Sequence, residues 1–283
     1  MRLASYRIGG TASFGVVVAS GIIDLGRRLE GRCTDLRDFL MLGDPSVARE
    51  SSMQGQIDYE VSEISWLPVI PVPSQILCVG LNYRAHAAEI GRKMEAHPVI
   101  FLRVAASQVG HMAPIIRPKV SSELDYEGEL AVIIGRRGRH IVRTEAFGHI
   151  AGYSIYNDAS LRDWQRHTHQ YTPGKNFPGT GAFGPWIVTA DEIPEPSALE
   201  ISTRLNGRTV QHAPLTDLIF PIDEIVSYLS SFTELLPGDV ILTGTPAGVG
   251  SMRKPPLWLK PGDTVEVEIS RIGTLRNPVI QEE

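Results

Sequence analysis

The sequence predicts a β-rich α+β fold. Its 27 glycines and 20 prolines fall between short β-branched runs, the pattern of strands closed by tight turns, and only one long stretch carries the 3.6-residue spacing of an amphipathic helix. With 283 residues the chain can bury a large core.

Taken in order, the runs at 14–19 and 21–25 read as a hairpin within a small N-terminal β-containing domain spanning residues 1–67. Leu67-Pro-Val-Ile-Pro-Val-Pro73 marks the boundary, because prolines so closely spaced cannot sit inside a central strand or a helix. A larger domain then covers residues 74–283, with strands expected at 76–79, 129–134, 152–156, 186–189, 240–243 and 264–269. Two of these are launched by the same turn, Leu236-Pro-Gly-Asp-Val240 and Lys260-Pro-Gly-Asp-Thr264, where Pro supplies the negative φ and Gly the positive φ of a type II turn. Both strands are expected in one sheet system. The helix follows Pro221, with Ile222, Ile225, Val226, Leu229 and Phe232 on one face and Asp223 and Glu224 in the first turn, where the dipole favours acids.

The formal charge of −5, without a basic stripe, argues against nucleic acid and against anionic membrane surfaces as partners. The N-terminus MRLASYRIGG lacks the apolar core of a signal peptide, and no stretch approaches the roughly 18 apolar residues of a membrane span. A cytoplasmic location is expected. Cys33 and Cys78 form no metal or disulfide pattern and are read as reduced thiols.

Chemistry concentrates in Leu124-Asp-Tyr-Glu-Gly-Glu-Leu-Ala-Val-Ile-Ile-Gly135. Strand alternation points Glu127 and Glu129 to one face, which is unfavourable unless a cation lies between them, a proton is shared, or both reach water. The plainest alternative is a solvent-facing patch on an edge strand. A third acid, Asp158, ends the run Gly152-Tyr-Ser-Ile-Tyr-Asn-Asp158; if a helical turn begins there, Asp158, Arg162 and Gln165 share its face. Three carboxylates suit a hard divalent ion, Mg²⁺ or Mn²⁺, with positions left for water and substrate oxygens. His86 and Glu89, three residues apart, can meet on one helical turn as a water-activating pair. Lys175 stands in a Gly- and Pro-rich loop where it could steady an enolate, and the turn Thr243-Gly-Thr-Pro-Ala-Gly248 could offer donors to a carboxylate. His167 and His169 read as surface residues.

The order of these motifs, Asn-Tyr with His86 and Glu89, the Asp-Tyr-Glu-Gly-Glu strand, Asp158 with Arg162-Asp-Trp-Gln165, Lys175 with Gly184-Pro-Trp186, and the two Pro-Gly-Asp turns, resembles the fumarylacetoacetate hydrolase family over residues 74–277. The resemblance implies a mixed β-roll, usually dimeric. It implies that Glu127, Glu129 and Asp158 bind Mg²⁺ or Mn²⁺, with Ca²⁺ a further candidate, that His86, Glu89 and Lys175 are catalytic, and that Arg162, Gln165 and Thr245 contact substrate. Residues 91–97 resemble the family's variable lid. Phe177-Pro-Gly179 in place of Phe-Asp-Thr, and Phe-Leu-Arg103 in place of Phe-Leu-Lys, depart from the family pattern while leaving the expected ligands intact.

The expected activity is metal-dependent hydrolysis of a C–C bond in a β-diketo acid of the acylpyruvate or fumarylpyruvate type, as in aromatic catabolism. The nearest alternatives are oxaloacetate decarboxylation and hydration or isomerisation of an unsaturated 2-keto acid at the same metal. A non-enzymatic alternative is a divalent ion that only staples the roll. The expected partners are a small keto-acid substrate and a second copy of the chain.

Overall fold

The computed structural model describes residues 1–19, 21–29, 31–91 and 95–283. Two sheets face one another. The larger runs through Gly21–Asp24, Thr11–Val18, Arg2–Ile8, Gly181–Thr189, Ile150–Asn157, Gly128–Ile134, Val240–Leu242, Ile76–Gly80 and Val99–Arg103, with two short strands pairing off this path. The smaller orders Arg208–Pro214, Glu200–Leu205, Thr264–Ile269, Gly273–Gln281 and Ile115–Arg117. The fold is the expected strand-rich α+β, a mixed β-roll.

Among the described residues, 1–67 contribute four strands to the larger sheet, Ser65–Trp66 pairing off the path, and join it through antiparallel pairing of Arg2 with Val188 and Leu3 with Ile187. The proline segment between the two parts is packed, with Val69 and Ile70 buried and the Val69 carbonyl accepting from Ser5 Oγ at 2.7 Å.

The strand Gly128–Ile134 is buried from end to end because it has a core on each face. Leu130, Val132 and Ile134 pack in one cluster with Ile201, Val267 and Leu275 of the smaller sheet. Ala131 and Ile133 belong to a second cluster with Leu3, Phe14 and Phe39 from the N-terminal segment. This explains its continuous apolar run: a strand covered on both faces has no solvent side to alternate with. The edge-strand alternative for Glu127 and Glu129 is therefore corrected, since the Gly128 strand lies between Ile150–Asn157 and Val240–Leu242.

Both Pro-Gly-Asp turns form as expected, with Gly238 at φ 83° and Gly262 at φ 93°. In each the Asp N–H returns to the carbonyl three residues back at 3.0 Å, while its carboxylate accepts that residue's N–H at 2.8 Å. The strands they launch enter different sheets, Val240–Leu242 the larger and Thr264–Ile269 the smaller, against the single sheet system expected. A turn motif fixes how a strand begins; its partner is chosen by the surface it buries.

The expected helix is Ile222–Phe232, with Ile222, Ile225, Val226 and Leu229 buried. Phe232 is 51% exposed, because the helix ends there and its last turn overhangs the core. Of the lid expected at 91–97, residues 92–94 lie outside the described residues, and His97 stacks on Tyr228 with ring centroids 5.8 Å apart. Cys33 and Cys78 are buried free thiols. Among the described residues no helix is long and apolar enough to cross a membrane.

The two sheets lie close together at Gly128, where an added Cβ would lie 2.3 Å from Thr203 Oγ1 and 2.9 Å from Val267 Cγ1. Gly128→Ala is expected to lower stability by about 1–3 kcal/mol through overpacking, read as a lower midpoint in urea unfolding; an unchanged midpoint would show that the sheets separate freely at this point.

Candidate metal centre and active-site cavity

Strand register brings the candidate functional residues to one edge of the larger sheet. Gly128 pairs with Asn157 in antiparallel register, so Glu127, just before one strand, stands beside Asp158, just after the other. The Asp158 N–H donates to the Glu127 carbonyl at 2.8 Å, and the Glu127 N–H donates to Asn157 Oδ1 at 2.9 Å. Val240–Leu242 runs antiparallel to the Gly128 strand and Ile76–Gly80 runs parallel to Val240–Leu242, so Thr245 and the helix Arg84–Glu89 leave at this same edge.

Glu127, Glu129 and Asp158 offer oxygens within 4.8 Å of one another, and Glu127 and Glu129 are only 5% and 2% exposed. Asp158 does not reach the cluster on a helical face with Arg162 and Gln165, as expected. The strand pair Ser160–Leu161 intervenes, and the helix is the single turn Arg162–Gln165. Arg162 arrives independently, pairing with Glu127 Oε1 at 2.6 Å and Asp125 Oδ2 at 2.8 Å, and donating to Gln165 Oε1 at 2.9 Å.

Lys175, 1% exposed, is buried rather than a solvated loop lysine. It ends the short helix Thr172–Lys175, donates to Glu127 Oε2 at 2.6 Å and contacts Asp158 Oδ2, and lies 5.0 Å from the Phe101 ring centroid. Arg103, a residue the sequence reading set apart only as a departure, grips the candidate ligand Asp158 at 2.6 Å. It also donates to the Ala159 carbonyl and Thr180 Oγ1, so this departure does touch the metal site. Asp125, which accepts from Arg162 and from the N–H groups of Gly250 and Ser251, was also missed. Its signal was present in the sequence, two residues before Glu127 in the same alternation.

These pairings divide the acids. Burial raises the Glu127 carboxyl, but the Arg162 and Lys175 charges outweigh it and hold it low, at about 2. Burial, then the charges of Asp158 and Glu127, push Glu129 well above the usual carboxylate range. Glu129 meets no cationic side chain among the described residues and takes the Gly244 N–H at 2.8 Å. A buried all-oxygen donor set with one uncompensated acid fits a hard divalent cation.

His86 and Glu89 meet on one helical turn, with Nδ1 3.0 Å from Glu89 Oε2. Glu89 is itself held by the Gly248 N–H at 3.0 Å. His86 is buried at 6% exposure, unlike the chance surface pair that the sequence also allowed, and it borders a cavity. That cavity, about 580 Å³, is lined by His86, Glu127, Glu129, Arg162, Lys175 and Thr245, among others. Gln165 lines it too. The Thr245 hydroxyl donates to the Gly128 carbonyl at 2.9 Å and accepts from Gln211, which ties the Thr245 turn to the strand of the two glutamates. His169, read from sequence as a surface residue, also lines the cavity.

Residues 75–280 match the model of the fumarylacetoacetate hydrolase C-terminal domain. The chain belongs to the fumarylacetoacetate hydrolase family. Within it, the rat mitochondrial protein named oxaloacetate tautomerase Fahd2a is 38% identical over 266 residues, covering 93% of this chain and 85% of the relative. A fumarylacetoacetate hydrolase from Exiguobacterium antarcticum superposes with a TM-score of 0.85 at 33% identity, over the whole of both chains. A maleylpyruvate hydrolase from a Sphingobium species, solved with manganese(II) and pyruvate, superposes with a TM-score of 0.84 at 26% identity, again over both whole chains.

Loading the site with metal must displace the proton that the raised Glu129 carboxyl carries. Affinity for Mn²⁺ is therefore expected to rise with pH while Glu129 titrates, with protons released as the ion binds. Calorimetry in two buffers of different ionisation enthalpy measures this. Glu129→Gln should release none and bind at least about tenfold more weakly; equal proton release in the variant would remove Glu129 from the ligand set.

Proposed function

We propose that this family member is a divalent-metal-dependent enzyme acting on a 2-keto acid by proton transfer at the carbon next to the keto group, with oxaloacetate tautomerisation as its first activity. The supporting observation is that one cavity joins a carboxylate triad to a histidine–glutamate pair. Similarity to a protein named oxaloacetate tautomerase along 93% of the chain favours this outcome over C–C hydrolysis, which the sequence alone ranks first.

Glu127, Glu129 and Asp158 would hold Mg²⁺ or Mn²⁺, which when bound polarises the keto oxygen. His86 Nε2 takes a proton from the adjacent carbon: the C–H bond breaks, the carbon–carbon double bond forms, and the proton is returned to the former keto oxygen. Glu89 keeps Nδ1 protonated and supports the imidazolium that forms. The Lys175 ammonium sets positive charge where the oxygen becomes negative, and burial keeps that charge undiluted by water. Arg162 and Gln165 contact substrate oxygens at the same end, and Thr245 lines the same cavity.

Hydrolysis is kept as a second reading, because His86 with Glu89 could equally activate a water, and a structural neighbour is a maleylpyruvate hydrolase. We place the enzyme in the cytoplasm as a homodimer, on composition and family resemblance; the mitochondrial name of the rat relative is the contrary observation for location.

The deciding assay follows the near-ultraviolet enol absorbance of oxaloacetate and of a small acylpyruvate panel, with Mg²⁺ or Mn²⁺ and then with EDTA, while pyruvate is measured separately. Metal-dependent enol relaxation without pyruvate release is the expected result. Pyruvate released in step with loss of a diketo acid would move the assignment to hydrolysis, and silence on every substrate would refute the keto-acid reading.

His86→Ala should keep Mn²⁺ affinity unchanged and lower kcat by roughly 10²–10⁴-fold. A near-normal kcat in that variant removes His86 from the chemistry.

A further inference from the structure

The cavity has a wall that the proposed chemistry leaves unused. Arg166, Thr168, His169, Gln170 and Tyr171 run along it in sequence. The base of this loop is pinned, because a Cβ on Gly174 would stand 2.6 Å from both Cβ and the backbone nitrogen of Gln165. The chain thus leaves and returns at one point. At its far end Tyr171 packs edge-on against Phe101 with ring centroids 5.5 Å apart, and its Cε2 lies 3.5 Å from where a Gly80 Cβ would be. The loop is thus anchored at both ends, with residues 166–170 exposed between the anchors.

The two histidines of the loop go different ways. His167 packs on Trp164 at 4.8 Å between ring centroids, whereas His169 lines the cavity and makes no side-chain hydrogen bond or ion pair among the described residues. Beside it, Arg166 meets Glu123 Oε2 at 3.2 Å with 61% of its side chain exposed, a pair of small net strength that a ligand can displace. Elsewhere in the cavity lining Arg162 and Lys175 are already engaged by Asp125, Glu127 and Asp158.

The cations beside the acid cluster are taken up by it, so a second carboxylate on a substrate finds donors not so engaged at the loop. We infer that the loop 166–171 is the specificity element of the cavity, with His169 and Arg166 receiving an anionic group at the end of the substrate remote from the keto acid, so that 2-keto dicarboxylates are chosen over 2-keto monocarboxylates. This rests on the keto-acid reading above and names the substrate class within it.

The test is calorimetric titration of the Mn²⁺-loaded full chain with pyruvate, oxaloacetate and 2-ketoglutarate. The unaltered protein is expected to bind the better dicarboxylate about tenfold more tightly than pyruvate, the size of one hydrogen bond to a charged group. His169→Ala should lose most of that ratio while pyruvate affinity stays unchanged, and His169→Asn, which keeps an N–H donor, should recover part of it. A ratio unaltered in both His169→Ala and the His169→Ala, Arg166→Ala double variant overturns the inference. So does an equal loss for pyruvate and dicarboxylate, which would place the effect at the shared end. Binding of none of the three by the unaltered Mn²⁺-loaded protein would refute the keto-acid reading itself, and the inference with it, a result distinct from any change in ratio.

Discussion

The mouth of the roll depends on an alternation of buried charges. Asp125, Glu127, Glu129 and Asp158 are all buried, and three fixed cations are threaded among them. Arg162 lies between Asp125 and Glu127, Lys175 between Glu127 and Asp158, and Arg103 on the far oxygen of Asp158. Taking an unpaired charge from water into such a place costs several kcal/mol, and a paired, hydrogen-bonded one far less. The alternation holds each side chain where it is, and it stops one step short. Among the described residues Glu129 takes a backbone N–H and pairs with no cationic side chain. The same electrostatics that make the cluster stable leave it suited to one more cation, and a divalent ion supplies charge that the protein side chains do not.

That arrangement is possible because rigid elements deliver it. The acids stand at strand ends locked by register and by the reciprocal backbone contacts of Glu127, Asn157 and Asp158. The His86 helix starts from a neighbouring strand of the same sheet. Asn82, just before it, bonds to the backbone of Phe220 in both directions and to the Thr243 carbonyl, fixing the helix to the turn that carries Thr245. A site placed by strand ends holds its geometry more closely than one built on free loops. Variation is then left to the loop 166–171, which touches the cavity without touching the carboxylate triad, so recognition of the substrate's remote end can change without disturbing the chemistry.

Much of this was legible in the sequence because it depends on local rules. The period-two spacing of Glu127 and Glu129, the i, i+3 spacing of His86 and Glu89, the Pro-Gly-Asp turns and the amphipathic Ile222–Phe232 helix are each set within a few residues, and each formed. Asp158 was read at the end of a strand and stands there; what did not form is the helical face it was expected to share with Arg162 and Gln165. Arg103 was read only as a departure, and His169 is exposed as read yet also lines the cavity, because nothing near either in sequence signals what it touches. Arg103 reaches Asp158, 55 residues later, and His169 differs from His167 only in which side of a loop faces the cavity.

The sequence by itself determined the strand-rich composition, the turns, the acid pair and the histidine–glutamate pair, since backbone sterics and side-chain periodicity act over short distances. Tertiary structure alone decided which sheet each strand joined, that the glutamate strand is covered on both faces, and which of the buried acids meets no cationic side chain. Those outcomes follow from burying apolar surface and neutralising charge between segments far apart in the chain, and they exist only once the whole roll has closed.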